Sequence, residues 1–293
     1  MNVVDATRLP MPAAIDTLEA ALRAGLDPEA VPPRSIVDVA AGQILFMPSG
    51  GTRYAGVKLV TVAPGNADRD LPRVQGVYLL LDAATLTPLA LMDGAALTSL
   101  RTPAVSAVAV RWLSTVDSSR LLVFGTGPQA WGHVDAVRAV RPIRHVDVVG
   151  RRAGPVGDLV AHCRAAGVSA AAASPDAVAH ADIVCCCTTA RVPLFDSARL
   201  PDHATVVAVG SHEPDAREVD AALVRRATTV VEARSVALRE AGDIIQAGPV
   251  PLATLDELVR GGVSVAPDRP RLFKSTGMAW EDLVVAAAAY ERR

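Results

Sequence analysis

The feature that most constrains the fold is a glycine turn between a short apolar run and a helical stretch, LLVFGTGPQAWGHV at residues 121–134. Residues 121–124 have the apolar character of a buried strand, and residues 128–140 have the pattern of a helix. A turn with two glycines between a strand and a helix typically opens a doubly wound α/β unit. The sequence therefore predicts that a parallel sheet begins here.

The same turn predicts a ligand. Gly125 allows a tight reversal of the chain, and Gly127 allows the backbone to approach a pyrophosphate closely. Ala130 occupies the position of the third glycine of this pattern, which the pattern permits. The free N–H groups and the dipole of the helix then point at the phosphates. We therefore expect a dinucleotide to contact Gly125, Thr126, Gly127, Gln129 and Ala130.

Five more apolar runs continue the pattern, at residues 145–149, 168–172, 183–187, 205–209 and 228–232. Helical stretches separate several of these runs, and such alternation implies parallel pairing with right-handed crossovers. We predict a Rossmann domain of six strands over residues 116–269.

The first 115 residues have a different pattern. After a helical N-terminus, residues 54–62, 75–82 and 88–93 read as strands with turn-length connections, which predicts an α+β domain with a largely antiparallel sheet. We expect this domain to end in a helix that begins near Thr102, with Pro103 at its first helical position. The C-terminal stretch 270–293 contains an amphipathic helix that is expected to pack back on this domain.

Composition excludes several classes of protein. A formal net charge of −2 provides no field that would attract nucleic acid or anionic lipid. No apolar stretch approaches the roughly 20 residues of a membrane span, and the N-terminus lacks the basic start of a signal peptide. Three of the four cysteines are adjacent, at 185–187, without the spacing of a metal site. These observations predict a cytoplasmic protein with reduced cysteines and no metal.

The end of the second Rossmann strand bears on the choice of cofactor. NAD usually needs an acidic residue there, whereas the 2′-phosphate of NADP needs cations. Arg151 and Arg152 stand at this position, and Asp147 lies two residues too early. A solvated loop is the alternative interpretation of the arginine pair. We predict NADP(H) as the preferred cofactor, with NAD(H) possible.

Seven segments, in this order along the chain, resemble the ornithine cyclodeaminase/mu-crystallin family. They are VPPR (31–34), VKLVTVAPGN (57–66), LTSLRTPAVSA (97–107), GTGPQA (125–130), AVGSHEPDAREVD (208–220), REAGD (239–243) and LFKSTGMAWEDLVVAA (272–287). The resemblance implies a homodimeric NAD(P)-dependent enzyme that acts on a small amino acid or cyclic imino acid. It also implies that the α+β domain supplies both the substrate site and the dimer interface.

Three cations match the family positions that bind the substrate carboxylate and flank the reacting carbon: Arg34, Lys58 and Arg101. An arginine binds a carboxylate through two parallel hydrogen bonds. Arg101 is expected just before a helix, where the dipole favours an anion. Desolvation of Lys58 in an apolar strand lowers its pKa towards the range of a proton donor. Without the resemblance, these residues read as surface cations.

The resemblance also implies further cofactor contacts at the carboxyl edge of the sheet: Thr188, Val209, Gly210, Ser211, Lys274 and Ser275. Lys274 and Ser275 match the segment that closes over the nicotinamide. A solvated loop cation is the alternative for Lys274.

His212 marks a departure from the cyclodeaminases, which have a catalytic aspartate at this position. The following PDARE (214–218) is similar to the ketimine reductase/mu-crystallin branch. We therefore predict a reductase of cyclic α-imino acids, which forms proline or pipecolate. The alternatives are ornithine cyclodeaminase, alanine dehydrogenase, and a non-catalytic protein that binds NADP(H) and a small ligand. Whether His212 acts as a base stays open, because its ordinary pKa of about 6.5 suits that role.

Overall fold

The computed structural model describes residues 1–292, which form two sheets with helices around them. The strands of the first sheet are β1 (Asn2–Val3), β2 (Ser35–Val39), β3 (Gly42–Gly50), β4 (Tyr54–Val62), β5 (Val74–Asp82) and β6 (Pro88–Asp93). Their spatial order is β1-β6-β5-β4-β3-β2. All neighbours pair antiparallel except β1 and β6, which are parallel.

One face of the first sheet carries the helices α1 (Met11–Arg23), α2 (Gly94–Leu113) and α9 (Ala279–Glu291). Because side chains alternate along a strand, every second residue points into this helical layer. Those of β4 and β5 include Lys58, Val60, Tyr78 and Leu80, all buried. The helix predicted at the C-terminus therefore does return to the first sheet.

The second sheet has eight strands, all parallel: β7 (Arg120–Phe124), β8 (His145–Val149), β9 (Ser169–Ala172), β10 (Ile183–Cys186), β11 (Thr205–Ala208), β12 (Thr228–Val231), β13 (Ala253–Thr254) and β14 (Arg271–Lys274). Their order is β13-β12-β14-β11-β10-β7-β8-β9. The accompanying helices are α3 (Pro128–Val140), α4 (Ala153–Ala165), α5 (Ala221–Arg226), α6 (Arg234–Glu240), α7 (Gly242–Ile245) and α8 (Leu255–Val259). The predicted α/β class is confirmed.

The prediction of six strands in this sheet is wrong by two, β13 and β14. β14 lies in the middle of the sheet, between β11 and β12. Its four residues begin and end with a cation, which is why the run did not read as a buried strand. The segment 270–293 thus contributes a strand to the second sheet and a helix to the first.

The predicted start of α2 near Thr102 is also wrong. The helix begins at Gly94, because the Asp93 carboxylate accepts hydrogen bonds from the N–H groups of Ala95 and Ala96. Pro103 therefore lies inside the helix. Arg101 projects from the middle of α2 and gains nothing from a helix N-terminus.

The cysteines lie in the interior. Cys185 and Cys186 are buried in β10, and burial raises the pKa of Cys185 to about 12. Such thiols are unreactive. Within residues 1–292, no three His, Cys, Asp or Glu side chains are arranged so that they could hold a metal ion. No helix in this range is both long and apolar enough to cross a bilayer.

Candidate active site

The chain passes between the two sheets twice, once from α2 to β7 and once through a short segment of four residues, Ser275 to Met278, which we call the crossing segment. It continues β14 in the second sheet and leads directly into α9 on the first. Gly277 adopts a φ of +75°, a conformation that glycine enters at little cost. The cations matched to the substrate site gather around this segment.

Lys58 lies in the middle of β4 and is 1% exposed. Its Nζ donates to Asp282 Oδ1 at 2.8 Å, lies 2.7 Å from Asp282 Oδ2, and donates to Thr98 Oγ1 at 3.3 Å. Burial, and then the positive charge of Arg101, lower the pKa of Lys58 to about 8, although the Asp282 carboxylate opposes this shift. Lys58 can therefore exchange a proton close to neutral pH.

Arg101 lies next to Lys58 and is also buried. Its Nη1 donates to Glu281 Oε2 at 2.6 Å, and its Nε donates to Asp282 Oδ1 at 3.2 Å. Although burial desolvates the guanidinium, the carboxylates of Asp282 and Glu281 raise the pKa of Arg101 above its ordinary value. Arg101 is therefore a permanent cation beside a titratable one.

Arg34 approaches the crossing segment from the loop before β2. Its Nη2 donates to the carbonyl oxygens of Thr276 at 3.0 Å and Gly277 at 2.5 Å, and its Nε lies 3.1 Å from Glu240 Oε2. A Cβ atom at Gly277 would lie 2.5 Å from Nη1 of Arg101. The two guanidinium groups therefore flank the same glycine, and the structure brings all three matched cations together.

Each of the two arginines keeps one nitrogen without a protein partner among the described residues. The carboxylates and carbonyls occupy Nε and Nη2 of Arg34, and Nε and Nη1 of Arg101. The N–H groups of Arg34 Nη1 and Arg101 Nη2 therefore remain able to donate hydrogen bonds to a ligand. The acids thus orient the guanidinium groups and leave one edge of each for an anionic ligand.

Sequence reasoning missed the acids of this site. Glu281 and Asp282 are fully buried in the first turn of α9, and Glu232 follows β12. Glu232 accepts hydrogen bonds from the Ser275 hydroxyl and from the N–H groups of Thr276 and Gly277. Two adjacent acids at the start of an otherwise apolar helix were the available signal.

Glu281 and Glu232 are themselves hydrogen-bonded. Burial and the neighbouring charge of Glu232 raise the pKa of Glu281 well above its usual range, although Arg101 acts in the opposite direction. The contact between Glu281 and Glu232 joins the end of β12 to the start of α9 beneath the crossing segment.

The glycine turn has the geometry expected for a pyrophosphate site. Gly125 has a φ of +112°, and a Cβ there would lie 2.4 Å from the carbonyl oxygen of Cys187. Gly127 is the N-cap of α3, and its Cβ position meets nothing within 4 Å. The buried Oε1 of Gln129 has no partner among the described residues. The open helix start fits a dinucleotide phosphate, whereas the Gln129 oxygen can only accept and suits a hydroxyl or N–H group of a ligand.

The loop that carries Arg151 and Arg152, which we call the arginine loop, lies against this turn. A Cβ at Gly150 would lie 2.9 Å from Cγ2 of Thr126, so the Gly150 backbone is in close contact with the Thr126 side chain. Arg151 and Arg152 are exposed, and neither forms an ion pair within residues 1–292. Both guanidinium groups are therefore available to a ligand.

The carboxyl edge of β10 and β11 is held by one buried carboxylate. Glu218 accepts hydrogen bonds from the N–H and hydroxyl of Thr188, both at 2.8 Å, and from the N–H of Gly210 at 2.7 Å. Burial raises the pKa of Glu218 to about 7, although Lys274 opposes the shift. Val209 is half-buried, and the Ser211 hydroxyl donates to the carbonyl of Ala216.

Lys274 and Ser275 reach this edge but use their side chains on protein partners. Nζ of Lys274 donates to the carbonyl of Ser211 at 2.6 Å and lies 2.9 Å from Asp243 Oδ2. The Ser275 hydroxyl donates to Glu232 at 2.6 Å. Lys58 and Lys274 are the only lysines in the sequence, and both are buried beside an aspartate.

His212 lies in the loop after β11 with its side chain exposed. Partial desolvation, and then the charge of Arg34, lower its pKa, while Glu213 and Glu240 act in the opposite direction. His212 is thus neutral at pH 7 and close enough to Arg34 and Glu240 to be influenced by them. Its catalytic role stays a prediction.

Comparison with known proteins identifies the relatives of this chain. A sequence profile of the ornithine cyclodeaminase/mu-crystallin family matches residues 2–293. Δ1-Pyrroline-2-carboxylate reductase 2 of Burkholderia ambifaria is 36% identical over 262 residues, which cover 88% of this chain and 83% of that protein. Ketimine reductase mu-crystallin of Rattus norvegicus is 33% identical over 264 residues, covering 89% and 84%.

A solved structure is similar over the entire chain. Δ1-Pyrroline-2-carboxylate reductase of Thermococcus litoralis, in complex with NADH and L-proline, superposes with a TM-score of 0.91 at 31% identity. The alignment covers 100% of this chain and 97% of that one. The chain belongs to the ornithine cyclodeaminase/mu-crystallin family.

Proposed function

We propose that the protein is an NADPH-dependent reductase of cyclic α-imino acids such as Δ1-pyrroline-2-carboxylate and Δ1-piperideine-2-carboxylate. The observation that carries this proposal is the convergence of two oriented guanidinium groups and one titratable ammonium around the crossing segment. Such a site suits a ligand that has one carboxylate and one basic nitrogen. The names of the similar reductases support the same substrate class.

The substrate carboxylate is the group that the arginines bind. Nη1 of Arg34 and Nη2 of Arg101 supply the open donors, and the carboxylates behind them hold both guanidinium groups in place. A charge-assisted hydrogen bond of this kind contributes about 1.5–3 kcal/mol. Binding the carboxylate on two sides of Gly277 fixes the adjacent imine carbon beside Lys58.

Lys58 is the proton donor. The glycine turn would hold the pyrophosphate of the reduced dinucleotide, which would supply a hydride to the imine carbon. The Lys58 ammonium donates one proton to the imine nitrogen, so the C=N bond becomes a C–N bond with one N–H. Lys58 then regains a proton from water, which is favourable below its pKa of about 8.

The cofactor preference follows from the arginine loop. Arg151 and Arg152 carry two exposed guanidinium groups next to the glycine turn, where a 2′-phosphate would lie. We expect the double substitution Arg151→Ser and Arg152→Ser to raise the KM for NADPH by roughly 10- to 100-fold, the loss of one or two charge-assisted hydrogen bonds. The KM for NADH is the matched control and should stay within about twofold. Equal changes for both cofactors would contradict the preference.

We also propose that the protein is a cytoplasmic homodimer that uses the open face of the first sheet. Two rows of apolar side chains cross this face in register, Phe46–Leu59–Val77 and Val57–Leu79–Leu91. Phe46 and Val77 are 38% and 42% exposed. A continuous apolar face of this kind is typical of an isologous interface.

The decisive experiment is a cofactor-oxidation assay with NADPH and NADH against cyclic imines, ornithine, and pyruvate plus ammonia. We expect oxidation of NADPH with the five- and six-membered cyclic imines. Ammonia release from ornithine without net cofactor reduction would instead identify a cyclodeaminase, and turnover of pyruvate with ammonia an alanine dehydrogenase. Tight binding without turnover of any substrate would identify a binding protein.

A further inference from the structure

We propose that Asp282 is a positioning residue for the reduction, because its one carboxylate both aims the Lys58 ammonium and holds the Arg101 guanidinium beside it. This inference rests on the proposed function. It assigns a role to a residue of α9 that is not one of the three substrate-binding cations.

The contacts of Asp282 are directed at both cations at once. Oδ1 accepts from Nζ of Lys58 at 2.8 Å and from Nε of Arg101 at 3.2 Å, and Oδ2 lies 2.7 Å from Nζ of Lys58. The Asp282 side chain is fully buried, so water cannot replace it. The distance between the proton donor and the carboxylate-binding arginine is therefore set by a single residue.

The groups around Lys58 make Asp282 its principal counter-charge. From α2, Arg101 adds a positive charge and Thr98 an uncharged hydroxyl. From α9, Glu281 is bonded to Arg101 and acts on Lys58 less strongly than Asp282. Tyr78 faces Lys58 across the β4–β5 pair, and its buried phenol stays protonated because burial raises its pKa well above the ordinary value. Without the Asp282 carboxylate, Lys58 would be a desolvated ammonium beside a second cation.

The arrangement also leaves Lys58 able to react. Asp282 contacts the Lys58 ammonium through both carboxylate oxygens, and Thr98 accepts a longer hydrogen bond at 3.3 Å. A bound imine nitrogen would therefore compete only with Asp282 and Thr98 for an ammonium hydrogen. Asp282 thereby keeps the donor charged and directed at the site.

The test is the substitution Asp282→Asn, which keeps the shape of the side chain and removes its charge. In the wild type we expect kcat/KM for Δ1-pyrroline-2-carboxylate to fall above a pH of about 8, as Lys58 loses its proton. In D282N this alkaline limb should move down by at least about one pH unit. Glu19→Gln is the control, since Glu19 is a buried carboxylate on α1 that binds Arg23 and Arg111 instead; its limb should not move.

A second readout does not depend on turnover. Because the sequence has only two lysines, ¹⁵N-lysine NMR gives two Nζ resonances, and Lys274 serves as an internal reference. We expect the titration midpoint of Lys58 to fall by about one unit in D282N while that of Lys274 stays unchanged. An unchanged Lys58 titration and an unmoved limb would overturn the proposal and leave Asp282 a structural ion-pair partner.

If D282N is too unstable to assay, Asp282→Glu is the variant to measure. It keeps the charge but displaces the carboxylate by one methylene, so the alkaline limb should stay in place while kcat drops by roughly fivefold or more. An unchanged kcat would overturn the positioning role. Failure of the proposed function would look different, because the wild type would then reduce no cyclic imine although the Lys58 resonance still moved in D282N.

Discussion

At the scale of single residues, the candidate site consists of cations that are held by carboxylates. Lys58 and Arg101 share Asp282, Arg34 is paired with Glu240, and Glu281 binds Arg101. A buried charge that loses its partner is costly, by about 3–5 kcal/mol. Substitution of an acid in this site is therefore as informative as substitution of a cation.

Removal of the ammonium itself tests the proposed donor. We expect Lys58→Met, which keeps the aliphatic length, to lower kcat for cyclic imine reduction by roughly 10²-fold or more, the usual contribution of a general acid. The residual activity should no longer fall above pH 8, because the group that loses its proton there is gone. NADPH binding, measured by fluorescence, is the control and should be unchanged. Full turnover by K58M would remove Lys58 from the mechanism.

The cations could be found in the sequence, but their partners could not. Arg34, Lys58 and Arg101 lie in segments that resemble a known family, and the structure brings them together. The roles assigned to them remain proposals. Asp282 lies more than 180 residues from Arg101 along the chain, so no local spacing reveals the contact. Lys274 shows that a matched position can have other partners. The resemblance places this lysine at the cofactor edge, but in the structure Asp243 and Ser211 enclose its ammonium group.

At the scale of elements, the sequence predicted α3 and β4 correctly but missed β2 and the nine-residue β3. The helix α3 has the predicted bounds, and β4 spans the predicted residues 54–62. The start of α2 was misplaced because Thr102-Pro103 imitates a helix start inside a helix. In the structure, Pro103 packs against Gly132 of α3, since a Cβ at Gly132 would lie 2.6 Å from Cγ of the proline ring.

The crossing segment provides the sharpest test at this scale. We expect Gly277→Ala to raise the KM for the cyclic imine by roughly tenfold, because the new Cβ would lie 2.5 Å from Nη1 of Arg101 and displace it. Alanine also strains a φ of +75°, at a cost of roughly 1–2 kcal/mol.

The matched control is Gly261→Ala. Gly261 has a φ of +80° but no atom within 4 Å of its Cβ position, so it tests backbone strain alone. Both variants should lose a few degrees of Tm, and only G277A should change KM. Equal kinetics in the two variants would show that Arg101 accommodates the methyl group.

At the scale of the whole molecule, the crossing segment is one of two chain connections between the sheets, and the other runs from α2 to β7. The first sheet supplies Lys58, α2 supplies Arg101, and the second sheet supplies the glycine turn and Glu232. Carbonyl oxygens of the crossing segment accept hydrogen bonds from Arg34, and Gly277 lies against the Arg101 guanidinium. The same four residues thus link the two sheets and contact both arginines of the candidate site.

The open face of the first sheet is testable through the oligomeric state. We expect Val77→Asp to convert a dimer to a monomer in light scattering coupled to size exclusion, because it places a charge at the end of an apolar row on the proposed interface. Val116→Asp is the control, since Val116 is 82% exposed but lies in the loop before β7. A wild-type monomer, or a V77D dimer, would contradict the proposed interface.

The enclosure of both lysines has a practical consequence for anyone who handles this protein. Reagents and enzymes that modify ε-amino groups meet no lysine on the exterior, where the basic side chains are arginines and histidines. Acetylation of either lysine therefore records a transient opening of the structure around it. Mass spectrometry of the acetylated fraction of each lysine over time would compare the rates of local opening around the two sites, without any engineered label.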